Sequence, residues 1–154
     1  MKKVNLVFGT VYGSAQFVTE TLFSALLELG YQAQIIAPDA LHSFVPPQEE
    51  LLILVSSTTG QGDLPDDIFP WFLQMQNAAP YLPKLKYAVI GLGDSSYETF
   101  CGAAKQLDAL MQELGATAVV ERLEIDACET MEPEVEALTW LQRWHSSITS
   151  EPVA

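Results

Sequence analysis

Short apolar runs alternate with helical stripes along the whole of this chain, and that alternation is what most constrains its fold. Residues 4–8, 32–37, 51–55, 85–92 and 117–125 read as strands, bounded by turn-forming residues. Between them Ala15, Val18, Leu22, Leu26 and Leu29 fall at helical spacing and stop at Gly30, and Phe100, Ala104, Leu107, Met111 and Leu114 repeat the pattern up to Gly115. A helix over 67–75 tolerates Pro70 in its first turn, and a last helix carries Val135, Leu138, Leu141, Trp144 and Ile148. Parallel neighbours need a crossover, and crossover helices cover both faces, so the chain predicts a doubly wound α/β sheet.

Polarity along each strand predicts the order. The first, third and fourth strands are continuous apolar runs, as burial on both faces requires, whereas Gln32 and Gln34 in the second and Glu121, Arg122 and Glu124 in the fifth mark edges. A five-stranded parallel sheet in the order 2-1-3-4-5 follows. Loops after strands one, three and four then flank the switch point, where open α/β sheets bind ligands. Those loops are Gly9-Thr10-Val11-Tyr12-Gly13-Ser14, Ser56-Ser57-Thr58-Thr59-Gly60-Gln61-Gly62-Asp63 and Gly91-Leu92-Gly93-Asp94-Ser95-Ser96-Tyr97.

With 154 residues, 49% of them apolar, the chain is expected to form a single domain over 1–150 with a short tail at 151–154. The basic start Met1-Lys2-Lys3 is followed by an apolar run that ends at Gly9 without a small-residue cleavage site, so no signal peptide is expected. No segment reaches membrane-spanning length. Cys101 and Cys128 lack metal or redox spacing and suit a reducing cytoplasm as free thiols. A formal net charge of −13 argues against nucleic acid and anionic membranes; it serves solubility or partners with basic faces. The charge is concentrated at 121–136, where seven acids face Arg122 alone.

The first loop has the chemistry of a phosphate site. Thr10 and Ser14 supply hydroxyls, Gly13 allows close backbone approach, and the next helix presents unpaired N–H groups and its positive end. It contains no Lys or Arg, which sets it apart from the Gly-Lys-Ser/Thr triphosphate loop, and it fails the three-glycine dinucleotide spacing. The plain alternative is a helix start capped by Ser14. In the second loop Gly60 and Gly62 allow a carbonyl to turn toward or away from a ligand; the alternative is a strand-to-helix turn in which Asp63, Asp66 and Asp67 complement the helix dipole. Tyr97 offers a face for stacking on a planar ring, or else packs in the core.

The three motifs, the second extended through Leu64-Pro65-Asp66 and the third through Glu98-Thr99-Phe100-Cys101, resemble the flavodoxin family over essentially the whole chain. Flavodoxin is itself a standard example of this strand order and switch point. The loops are similar to those of the FMN domains of cytochrome P450 reductase and sulfite reductase, and the chain to small free-standing bacterial flavodoxins. The resemblance implies that Thr10, Val11, Tyr12, Gly13, Ser14 and Ala15 hold the FMN phosphate. Thr58, Thr59 and Gly60 would line one side of the flavin, the Gly60 carbonyl turning to N5 on reduction. Tyr97 would stack on the other side, with Leu92, Gly93, Asp94, Phe100 and Cys101 completing the pocket. Two positions depart from the pattern. Thr59 stands where reductase domains often carry a second stacking aromatic, and Tyr12 replaces a threonine of the phosphate loop.

The implied function is that of a short-chain flavodoxin: a cytoplasmic FMN electron carrier with no catalytic residues and no metal. It lacks the insertion in the last strand that marks long-chain members. A separate NAD(P)H-dependent flavodoxin reductase would supply electrons to it, and an acceptor enzyme would take them, both presenting basic faces to Asp63, Asp66, Asp67, Asp94, Glu98, Asp126 and Glu129, acids that would also lower the flavin potential. A monomer is the default for such a carrier. Two alternatives stay open: an FMN-dependent NAD(P)H:quinone-type reductase, and an apo-protein serving as an interaction module. A phospho-receiver would need paired acids after the first strand, which are absent. His42 and His145 read as surface, Met75, Met111 and Met131 as unrelated to the cofactor, and Trp140 and Trp144 as packing residues. Trp71 stays open because its helix starts near the proposed ring.

Overall fold

The structure is a computed structural model and describes residues 3–59, 62–96 and 100–150. Gly60, Tyr97, Glu98 and the tail at 151–154 lie outside the described residues. Strands β1 (Lys3–Gly9), β2 (Gln32–Ile36), β3 (Leu51–Ser57), β4 (Lys86–Gly93), β5 (Thr117–Ala118) and β6 (Leu123–Asp126) alternate with helices α1 (Ser14–Glu28), α2 (Phe69–Ala78), α3 (Gly102–Glu113) and α4 (Pro133–Ser150). All pairings are parallel, in the order β2-β1-β3-β4-β5, with β6 also on β4.

Period-two alternation sends the central strands to two cores. Val7, Leu52, Leu54 and Val89 pack under α2 and α3, while Leu6, Ile53, Val55 and Ile90 pack with α1 and α4 around Trp140 and Trp144. Each such fully buried side chain contributes roughly 1.5–3 kcal/mol. Trp71 belongs to the first core and donates its Nε1–H to the Phe44 carbonyl at 2.9 Å. His145 is half-buried rather than simply at the surface, because its Nδ1 meets the Tyr31 hydroxyl at 2.6 Å.

Gly30 and Gly115 end their helices as expected, both at positive φ (94° and 90°). In each case the glycine N–H and the next N–H bond back to carbonyls of the last turn, the two-bond closure that a left-handed residue permits.

The predicted fifth strand is corrected. It is interrupted at 119–122, leaving β5 and β6 on the same edge of β4. At the end of the break Arg122 turns to the Asp108 carboxylate on α3 and to Glu124, at 2.5 and 2.9 Å. The predicted helix over 67–75 is also shifted. It begins at Phe69, after a tight turn in which Ile68 and Phe69 donate to the Pro65 carbonyl.

Candidate functional site

Gly9, Ser56 and Gly91 stand level across β1, β3 and β4, so the three loops leave the sheet at one height. They surround a cleft of about 730 Å³. Val11, Tyr12 and Ser14 line it from the first loop, Thr58 and Thr59 from the second, and Leu92, Gly93, Asp94, Phe100 and Cys101 from the third. Thr10, Gly13 and Ala15 do not line it: the first two shape the loop, and the Ala15 side chain is fully buried in the core.

The first loop is built by its own polar atoms. Gly13 donates its N–H to Thr10 Oγ1 at 2.8 Å and enters α1 at φ 93°, a left-handed conformation that glycine adopts without strain. Ser14 is therefore not the helix cap; Gly13 holds that position, and no side chain caps the helix. Thr10 N–H is taken by Asp67, whose two carboxylate oxygens lie 3.0 and 3.1 Å away. This overturns the dipole role expected of Asp67, since α2 has no acid in its first turn. The amides of Val11, Tyr12, Ser14 and Ala15 have no partner among the described residues, and three of these residues, Val11, Tyr12 and Ser14, line the cleft.

The second loop is a tight turn in which Thr59 and Asp63 exchange N–H···O bonds at 2.9 and 2.8 Å. Thr58 Oγ1 accepts the Ala103 N–H at 3.1 Å and so satisfies one open donor at the start of α3. A Cβ on Gly102 would fall 2.7 Å from Gly62 Cα, which is how the loop and the helix approach so closely.

In the third loop, Cys101 is buried with φ 53° at the N-cap of α3. Burial above all, with Glu124 adding, pushes its thiol up to about 12; it is neutral at physiological pH. At the rim, Asp94 Oδ1 takes Cys128 Sγ at 2.9 Å and Ser96 N–H at 2.9 Å, while Asp126 takes the N–H groups of Ser95 and Cys128 at 3.0 and 2.9 Å. The Cys128 thiol, followed by Ser96, holds the Asp94 carboxyl below its usual range, and Ser95 does the same for Asp126. Asp94 in turn raises the Cys128 thiol.

A fourth wall was missed in the sequence. Ile125 of β6 and, after the strand, Ala127, Thr130, Met131 and Pro133 line the cleft, and Met131 stands almost wholly exposed. The predicted strand order contained the signal, because any loop after an edge strand beside β4 opens at the same end. Among the described residues no Lys, Arg or His lines the cleft. Amides, hydroxyls and the positive end of α1, and no side-chain cation, are what this lining offers to an anion.

The Flavodoxin family model matches residues 6–140 of the chain. The chain belongs to the flavodoxin family. Flavodoxin YqcA of Escherichia coli strain K12 is 42% identical over 144 residues, covering 94% of this chain and 97% of the relative. A mutant of flavodoxin from Pseudomonas aeruginosa superposes with a TM-score of 0.86 at 36% identity, covering 96% of this chain and 99% of that one. A sulfite reductase [NADPH] flavoprotein alpha-component of Vibrio cholerae is 38% identical over 126 residues, which are 80% of this chain and 20% of that much longer protein. FMN is the cofactor that membership of the flavodoxins implies. The cleft suits it: the volume is in the usual range for a ligand pocket, Val11, Tyr12 and Ser14 with their open amides line it, and Leu92, Phe100, Ile125 and Met131 provide apolar wall.

Proposed function

We propose that this flavodoxin is a short-chain electron carrier that works on FMN. The observation that carries the reading is the run of unpartnered amides through the first loop into α1, with Val11, Tyr12 and Ser14 on the wall of a cleft that has apolar sides and no cationic side chain among its described residues. The amides of Val11, Tyr12 and Ser14 and the Ser14 hydroxyl hold the phosphate from the cleft wall, with Thr10, Gly13 and Ala15 behind them shaping the loop. Thr10 Oγ1 accepts from Gly13. Thr58, Thr59, Leu92, Gly93, Asp94, Phe100 and Cys101 bound the ring, joined by the loop after β6; Gly60 and Tyr97 keep the roles that the family resemblance assigns them. When bound, FMN supplies one-electron chemistry. The protein's part is to hold it, limit water at the ring and set the local charge.

Electrons arrive from a separate NAD(P)H-dependent reductase and leave to an acceptor enzyme, both docking basic faces against Asp94, Asp126 and their acidic neighbours. The carrier works as a monomer in the cytoplasm, a setting supported by two cysteines that are both free. Among the described residues no helix is long and apolar enough to cross a membrane.

The test is titration of ligand-stripped protein with FMN and with riboflavin, following quenching of flavin fluorescence. Two charge-assisted hydrogen bonds at about 1.5 kcal/mol each imply at least a roughly hundred-fold preference for FMN. Equal affinities for the two flavins would remove the phosphate-site assignment, and no binding of either would remove the carrier function.

A further inference from the structure

We propose that Asp67 is a positioning residue of the phosphate loop whose negative charge also limits how tightly that loop holds a phosphate. The inference rests on the FMN reading above and assigns a residue that the loop motif itself does not contain. Asp67 is remote in sequence from the first loop, yet both its carboxylate oxygens face the Thr10 N–H at 3.0 and 3.1 Å. The approach is enforced from below. A Cβ on Gly9 would lie 2.5 Å from Ile68 Cγ2, so the turn carrying Asp67 packs directly on the end of β1, with Ile68 fully buried. The carboxylate is not engaged with its own helix, because α2 starts two residues later with no acid in its first turn.

Two consequences follow from this placement. The bond fixes the first residue of the loop, and Thr10 Oγ1 then fixes Gly13, so one carboxylate sets the path along which the free amides are presented. The same carboxylate puts a negative charge beside an anion site. With the Thr10 N–H 3.0 Å from the carboxylate and about 3.8 Å per residue, the Val11 and Tyr12 amides lie within roughly 7 and 11 Å of it along the chain, close to one screening length in 0.15 M salt. With no Lys, Arg or His among the described residues of the cleft lining, nothing there offsets that charge.

Asparagine separates the two effects, because its Oδ1 still accepts from Thr10 while its charge is gone; alanine removes both. In titrations of stripped protein, Asp67→Asn is expected to bind FMN about three- to ten-fold more tightly than the parent, with riboflavin affinity unchanged. Asp67→Ala is expected to bind FMN about ten-fold more weakly than the asparagine variant, as the loop loses its anchor. In amide NMR spectra of the apo-proteins, the Thr10 N–H proton should move upfield in both variants, and further in the alanine one, because the neutral amide is the weaker acceptor. Equal FMN affinity for the parent and Asp67→Asn would overturn the charge effect. An unmoved Thr10 proton in Asp67→Ala would overturn the positioning role; if that variant does not fold, an unmoved Thr10 proton in folded Asp67→Asn does so instead. Should the parent bind neither flavin, the FMN reading fails, and the Thr10 shifts still decide whether Asp67 sets the loop.

Discussion

Cys101 combines three properties that follow from one contact. Its backbone sits at φ 53°, it is fully buried, and its sulfur lies where a Cβ on Gly91 or Gly93 would come within 3.3 and 3.0 Å. The left-handed conformation of a non-glycine residue costs of order 1–3 kcal/mol and persists where the surroundings over-determine it, as the glycines of β4 and the start of α3 do here. Gly91→Ala tests this packing. Its Cβ would meet Ala104 Cβ at 2.5 Å, two rigid atoms that cannot yield by rotation, so the urea midpoint should fall by the equivalent of about 1–3 kcal/mol. The two thiols should also differ. With Cys101 buried and raised to about 12, a thiol titration of native protein at pH 8 should count Cys128 alone, and urea should release the second.

Asp94 and Asp126 carry the opposite sign from Asp67. Their carboxyls are lowered in the folded state by donors from Cys128, Ser95 and Ser96, whereas burial raises that of Asp67. A lowered carboxyl stabilises the fold above its ordinary value of 3.8 and loses that contribution as pH falls through the folded value; a raised one opposes folding at neutral pH and is relieved on acidification. Asp94→Asn should therefore lower the urea midpoint more at pH 7 than at pH 3. An equal loss at both values would show that the side chain acts by shape, not by charge.

At the scale of elements, the last strand is where the sequence says least. Strand polarity and helical spacing were enough to order the sheet, because buried parallel strands and amphipathic helices carry strong, distinct patterns. The break at 119–122 has no such pattern: Val119 and Val120 look like strand, and the pairing of Arg122 with Asp108 and Glu124 at its end joins residues far apart or off the strand axis. The same cause hid Asp67. A carboxylate just before a helix reads as a dipole partner, and a bond to an amide 57 positions away leaves no local signature. The fourth wall was lost differently, since Met131 and Pro133 belong to no motif and enter the cleft only through the strand order. Arg122→Ala should leave Asp108, Glu124 and the Tyr87 hydroxyl bonded to Asp108 with an uncompensated charge cluster. A loss of about 1–3 kcal/mol and faster amide exchange across Leu123–Asp126 are expected, while exchange in β1 and β3 should hold.

Over the whole molecule, the net charge of −13 opposes compaction and repels any anion approaching the cleft. Raising NaCl from 10 to 200 mM shortens the screening length from about 30 Å to roughly 7 Å, so both the urea midpoint and FMN affinity should rise over that range. A flat midpoint would mean that the acids are already far enough apart to ignore one another. The interrupted edge has a different consequence. An unbroken terminal strand would present a long row of open N–H and C=O groups, a template on which a second chain can add. Here that row is divided into a two-residue and a four-residue piece with charged side chains between them, so a neighbouring chain finds no continuous ladder to extend, and a protein stored at high concentration is protected at this edge against sheet-to-sheet aggregation.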